Sequence, residues 1–201
     1  MSTQKADFET TLTKLLNRLA DVNYLERADR LGAGSDQEAL LIRFYGQVYR
    51  VLPKGVTDMG GKRVNAAVGV VLCRYALECP DETPMGKSLI SFREFADAGP
   101  LSGYFVENTQ KTIVNTFGGN LDGLDAACRK LGGVKDTGEA AFDLSICFAA
   151  LPRVPLYLRF NDRDQTFPAQ CSILFQQTAQ NYLDLESLTM VATFLTGNLI
   201  R

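Results

Sequence analysis

The stretch AFDLSICFAALPRVPLYLRFNDRDQTFPAQCSILF, residues 141–175, decides the fold class. Phe142, Leu144, Ile146 and Phe148 alternate with Asp143, Ser145 and Cys147. Val154, Leu156, Leu158 and Phe160 alternate with Tyr157 and Arg159. Ala169, Cys171, Ile173 and Phe175 alternate with Gln170 and Ser172. A period of two is the mark of a half-buried strand. Pro152 turns the chain after the first run, and Asn161 to Thr166 forms a polar tip after the second. The pattern predicts a three-strand antiparallel meander with one apolar face. Such a face has to be covered by helices.

The flanking sequence supplies them. Phe8, Leu12, Leu15 and Leu19 predict an amphipathic helix over residues 4–20. Asp21 is placed to cap a second, short helix carrying Leu25, Ala28 and Leu31, which Gly32 ends. Residues 33–38 read as a polar loop. Residues 39–45 and 47–52 read as a hairpin around Gly46, broken after Leu52 by Pro53, Gly55 and Gly60-Gly61. Val64 to Glu78 is apolar on most sides and predicts a buried helix stopped at Cys79-Pro80. Leu89 to Phe95 fits either a short strand or a helical turn. Ser102 is placed to cap a helix over residues 103–117. Asn120 opens another, with Leu121, Leu124, Cys128 and Leu131 on one face, and Asp184 opens the last, to Leu199. No linker interrupts the chain. The expectation is one α+β domain over residues 1–201, with an early hairpin, a late meander and about six helices, residues 1–34 being a helical segment packed on it.

Composition narrows the chemistry. The chain has 201 residues, 46% hydrophobic and 22% charged, with a net charge of −2 and no histidine. At this size folding buries about 70% of the unfolded surface, so a core needs no disulfide or metal staple. Without histidine there is no Ser-His-Asp triad, no Cys-His dyad and no His metal ligand within the chain. The basic residues are scattered, which excludes the basic face of a nucleic-acid binder. Cys73, Cys79, Cys128, Cys147 and Cys171 are odd in number and contain no CxxC, so they read as buried free thiols in a reducing cytosol, with no metal and no cofactor. The polar stretch Met1 to Leu12 lacks a signal-peptide core, and Ala66 to Cys73 is too short to span a bilayer. The expectation is a cytoplasmic, soluble protein.

Candidate functional residues fall in three groups. Asp162 and Asp164 at the meander tip can hold a cation or a partner's arginine, or simply shape the turn. The polar sheet face, with Asp143, Tyr157 and Arg159, carries few charges for a solvated surface, and Asp143 and Arg159 are placed to pair across strands. Glu186, beside Asp184, sits where a helix dipole favours acids. Gly118-Gly119-Asn120 resembles a helix-end anion site but lacks the lysine and hydroxyl of a phosphate loop. One reading is a non-catalytic binding or accessory domain holding a small molecule or a protein. A second is an enzyme with Asp164 or Glu186 as acid-base and Arg93 or Arg159 holding an anion. A third is an oligomeric scaffold.

Pro152-Arg153-Val154-Pro155-Leu156, Asp164 with Phe167-Pro168-Ala169, Leu174-Phe175, and Tyr182-Leu183 with Glu186 resemble the signature of a prokaryotic family, domain of unknown function 3786. Gly32-Ala33, Tyr45-Gly46-Gln47-Val48-Tyr49, Ser91-Phe92-Arg93-Glu94, Tyr104 and Phe117-Gly118-Gly119 agree in order, so the resemblance runs from about Asp21 to the end. It implies a role in anaerobic metabolism. Some relatives join this domain to a cysteine-rich iron-sulfur segment, which this chain lacks. Gln176 stands where the family pattern tends to an acid, so no carboxylate site is carried over there.

Overall fold

The computed structural model describes residues 2–138 and 141–201. The chain forms two antiparallel sheets and a set of helices around one continuous apolar cluster that runs from Leu15 to Leu199. Helix α1 (Ser2–Ala20) packs on α3 (Ala66–Leu77) so closely that a Cβ added at Gly69 would lie 2.9 Å from Leu12. Between them, Leu25–Arg27 makes a 3-10 turn and α2 (Ala28–Leu31) a single α-turn. The cap expected from Asp21 is not formed, because the 3-10 turn starts from Tyr24, which makes no side-chain cap bond. Gly32 does close α2, in the left-handed conformation with φ +64°. Arg153 donates from Nε and NH2 to the carbonyls of Arg30 and Asp29, satisfying the end of that short helix.

The first sheet has the order β1 (Gly34–Ser35), β2 (Leu40–Phe44), β3 (Gln47–Leu52), β4 (Gly55–Asp58). The β2–β3 hairpin lies where alternation placed it. Its turn residues Tyr45 and Gly46 both have positive φ, +46° and +80°, as a tight two-residue hairpin demands. Tyr45 is an unusual residue there, and its contacts account for it. Its amide donates to the Ala150 carbonyl and its hydroxyl to the Val191 carbonyl, each at 2.9 Å, while its ring stacks on Phe194. The hairpin tip is thereby fastened to the second sheet and the last helix. Two corrections apply at the sheet's edges. The loop over residues 33–38 contains β1, and Pro53 and Gly55 do not end the sheet: Pro53 and Lys54 form the turn and Gly55 opens β4, paired with Leu52.

The second sheet has the order β5 (Leu89–Ser91), β9 (Gln170–Gln176), β8 (Val154–Asn161), β7 (Leu144–Leu151), β6 (Val134–Lys135). Its central three strands are the expected meander, and Ile146, Phe148, Leu156, Leu158, Phe160, Ile173 and Phe175 are buried as one face. The two-residue β6 and three-residue β5 extend it at either side. Residues 89–95 resolve into both alternatives, strand β5 followed by a 3-10 turn over Phe92–Glu94. Helix α4 (Gly99–Asn108) begins earlier than expected, with Pro100 in its first turn, so Ser102 is not its cap but lies inside it, bonded to the Ala98 carbonyl. Thr109 breaks the expected single helix and α5 (Gln110–Phe117) follows. Helices α6 (Leu121–Lys130) and α7 (Leu185–Leu199) are capped by Asn120 and Asp184 through side-chain oxygens, as read from the sequence. Among the described residues no helix is long and apolar enough to cross a membrane.

Candidate functional site

Arg159 is the most deeply buried charge on the second face of the large sheet, 2% exposed. Asp143 is not its partner. The register sets Ser145 opposite Arg159, which leaves Asp143 beside Asn161, before the first paired residue of β7. The partner is Asp136, just after β6, whose Oδ2 accepts from Arg159 NH2 at 2.7 Å. That bond holds the Asp136 carboxyl below its ordinary range. The rings of Tyr157 and Phe142 lie 5.7 and 5.9 Å from the guanidinium carbon. Arg159 therefore fastens the segment around Asp136 and Phe142 across the sheet. Beside it, burial raises the pKa of both Cys147 and Tyr157.

The meander tip is occupied by its own backbone. Asp162 Oδ1 accepts from the amides of Gly119, at 2.5 Å, and Arg163. The Gly118-Gly119-Asn120 segment thus already receives an anion, one supplied by this chain. Asp143 Oδ2 accepts from the Asp162 amide, and Asp164 Oδ1 accepts from the amides of Thr166 and Phe167. The amides of Phe167 and Thr166 hold the Asp164 carboxyl low. These bonds describe a turn whose carboxylates are committed locally.

Arg93 stands elsewhere, lining a cleft of about 320 Å³ between the 3-10 turn, α4, α5 and β9. Strand β5 stops at Ser91, opposite Leu174, because the Ser91 and Glu94 side chains form a capping box that bends the chain away. The Ser91 hydroxyl and amide both donate to Glu94 Oε2, and these bonds hold the Glu94 carboxyl below its ordinary range. Phe92 turns inward and stacks on Phe105 with ring centroids 4.3 Å apart and the planes nearly parallel. Together with Val106 these almost wholly buried rings supply the apolar part of the cleft lining, and Ser91, Arg93, Ser102, Gln110 and Ser172 supply the polar part. Arg93 makes no ion pair within 4 Å among the described residues. Ser172 lies opposite Arg159 across β8 and β9, so the cleft opens beside the polar sheet face. Gln110 and Phe105 have no signal in the sequence, since it is the break at Thr109 that redirects α5 toward β9. The Ser-x-x-Glu spacing of residues 91–94 is the local sign of the turn that makes the cleft.

Glu186 is exposed at the start of α7, on another cavity of about 370 Å³ with Asp97, Gln180 and Asp184. Asp184 caps α7 and pairs with Arg74, which also reaches Glu78 at 3.6 Å. Burial, and then the Asp184 charge, raise the Glu78 pKa. A carboxyl raised in the folded state destabilises the fold once it ionises, and this cost disappears below its unfolded value. Glu78→Gln is therefore expected to raise the melting temperature at pH 7. The gain should shrink as pH falls through the raised pKa and vanish below about pH 4. Melting curves of both proteins from pH 3 to 8 check this.

Burial pushes the thiols of Cys73, Cys128 and Cys171 up to about 12. No group of three or more Cys, Asp or Glu able to hold a metal ion occurs among the described residues. No curated protein and no solved structure matches the chain. One family model does, over residues 23–198, a span that takes in the Arg93 cleft, both sheets and nearly all of α7. The chain belongs to the family described as domain of unknown function (DUF3786).

Proposed function

We propose that the domain binds a small organic carboxylate in the Arg93 cleft and serves as a binding module rather than a catalyst. The observation that carries this reading is a guanidinium without an ion-pair partner among the described residues, on a cleft that is also lined by the stacked Phe92 and Phe105 and by Val106. The planar fork of arginine matches a carboxylate with two parallel bonds, better than a point charge would. The apolar part of the lining suits a short hydrocarbon body, which favours an organic acid over inorganic phosphate. A non-catalytic role is supported by how the nearby groups are used. Glu94 is held ionised by Ser91, and the hydroxyls of Ser91 and Ser102 donate to Glu94 and to the Ala98 carbonyl. The family resemblance supports an accessory role in the cytosol of anaerobic prokaryotes.

The test is a thermal melt with increasing succinate, butyrate or phosphate. A ligand at a hundredfold its Kd stabilises by about 2.7 kcal/mol, which for a chain of this size is about 5–10 °C. Succinate or butyrate is expected to raise the melting temperature and phosphate is not. Arg93→Ala, an exposed change that alters stability by no more than about 0.5 kcal/mol, should abolish the response. A response retained in Arg93→Ala contradicts the reading.

A further inference from the structure

A further cavity, of about 290 Å³, differs from the Arg93 cleft in being lined largely by apolar side chains. It is formed where the first half of α1, the start of α3, α4 and the last turns of α7 meet. Phe8, Tyr104, Met190 and Phe194 wall it, and Gly197 leaves its α7 side open. Phe194 is fixed from behind, tilted on Phe44 at 4.8 Å and stacked on Tyr45 at 5.5 Å. Among the described residues Arg201 is the one charged residue on the lining.

Gly197 is the informative residue. It lies inside α7, where glycine is the poorest helix former after proline. A Cβ added there meets nothing within 4 Å, so no packing neighbour requires a glycine. What its missing side chain does is keep the cavity open. The volume is roughly twice the ~150 Å³ of apolar cavity that holds a benzene ring, which sets the occupant at one or two rings. Three aromatic walls and a methionine favour a flat aromatic face through ring stacking and sulfur-ring contact. Apart from Arg201 the walls are uncharged, which favours a neutral molecule, since an ion set among the aromatic side chains would lose hydration there.

We propose that this cavity is a binding site for a small, uncharged aromatic molecule of one or two rings, separate from the carboxylate cleft. The probe is 2-naphthol, followed by its own fluorescence, which a chain without tryptophan does not obscure. The whole chain is expected to show one saturable site. Gly197→Leu should abolish saturable binding by filling the cavity, without lowering the melting temperature, because leucine is the better helix former. Arg93→Ala should leave naphthol binding unchanged, and Gly197→Leu should leave the succinate or butyrate response unchanged, so the two sites fail separately. Absence of saturable binding to the wild type, or binding undiminished in Gly197→Leu, overturns the proposal. So does a dimer in size-exclusion chromatography that Gly197→Leu converts to monomer, which would make the cavity a contact between two copies.

Discussion

Replacing Phe105 with alanine is expected to lower the melting temperature by about 8–16 °C, from a loss of about 4 kcal/mol at about 2–4 °C per kcal/mol for a chain of this length. Phe105 is 1% exposed and belongs to a cluster of four aromatic rings with Phe92, Phe95 and Phe175. It stacks on Phe92 at 4.3 Å and sits 6.0 Å from Phe175, which in turn meets Phe95 at 5.7 Å. Alanine removes the ring and leaves a void that Phe92 and Phe175 cannot close without moving the 3-10 turn or strand β9. Phe105→Leu keeps most of the volume and should cost less than about 1.5 kcal/mol. The same residue lines the cleft, so Phe105→Ala should also weaken the carboxylate response with Arg93 still in place. Thermal melts with and without succinate measure both effects. A loss under about 1 kcal/mol would mean that the aromatic cluster is not packed as described.

Replacing Arg159 with alanine should cost about 3 kcal/mol, or about 6–12 °C. The change removes the partner of Asp136 and takes the filling from between Tyr157 and Phe142. Asp136 is a quarter exposed and can turn to water, which keeps the loss at the lower end for a broken buried pair. Arg159→Met tests the cause. Methionine restores the packed stem without the charge, so it should recover at least half of the loss if packing dominates. In the wild type the Asp136 bond has its own pH signature. A carboxyl lowered in the folded state stabilises the fold above its unfolded pKa, and that contribution is lost as pH falls through the lower folded value. Arg159→Met should lack this loss when its melts are followed from pH 5 to pH 2.

The long, strongly patterned elements were legible in the sequence. The meander showed as three runs of alternation, and α3 showed as an apolar block ended by a proline. The elements that were not legible are too short to have a period. Strands β1 and β6 have two residues each, and β4 has four. That gap explains the error at Arg159. Its partner Asp136 follows β6, which pairs with β7 through only Val134 and Lys135 among the described residues, whereas Asp143 stands within the visible alternation of residues 142–148. The serine at 102 was misleading for a different reason. A serine can cap a helix or bond back to the carbonyl four residues earlier, and only the position of Pro100 separates the two. Of the candidate functional residues, Arg93 was named as an anion holder, yet its cleft was not foreseen. The cleft depends on Gln110 and Ser172, which are 17 and 79 residues away in the chain (110 − 93 and 172 − 93). Local pattern does not carry such contacts. The paired acids at the tip drew attention because acidic spacing is visible in sequence, while the amides that occupy them are not.

The most direct test of the central claim is to follow backbone amide signals by NMR while succinate is added. Binding in the Arg93 cleft is expected to shift the amides of residues 91–94, 102–106, 110 and 172 along one saturable curve, and to leave residues 162–167 in place. Saturable shifts confined to the Asp162–Phe167 tip, or no shift at residues 91–94, would contradict it.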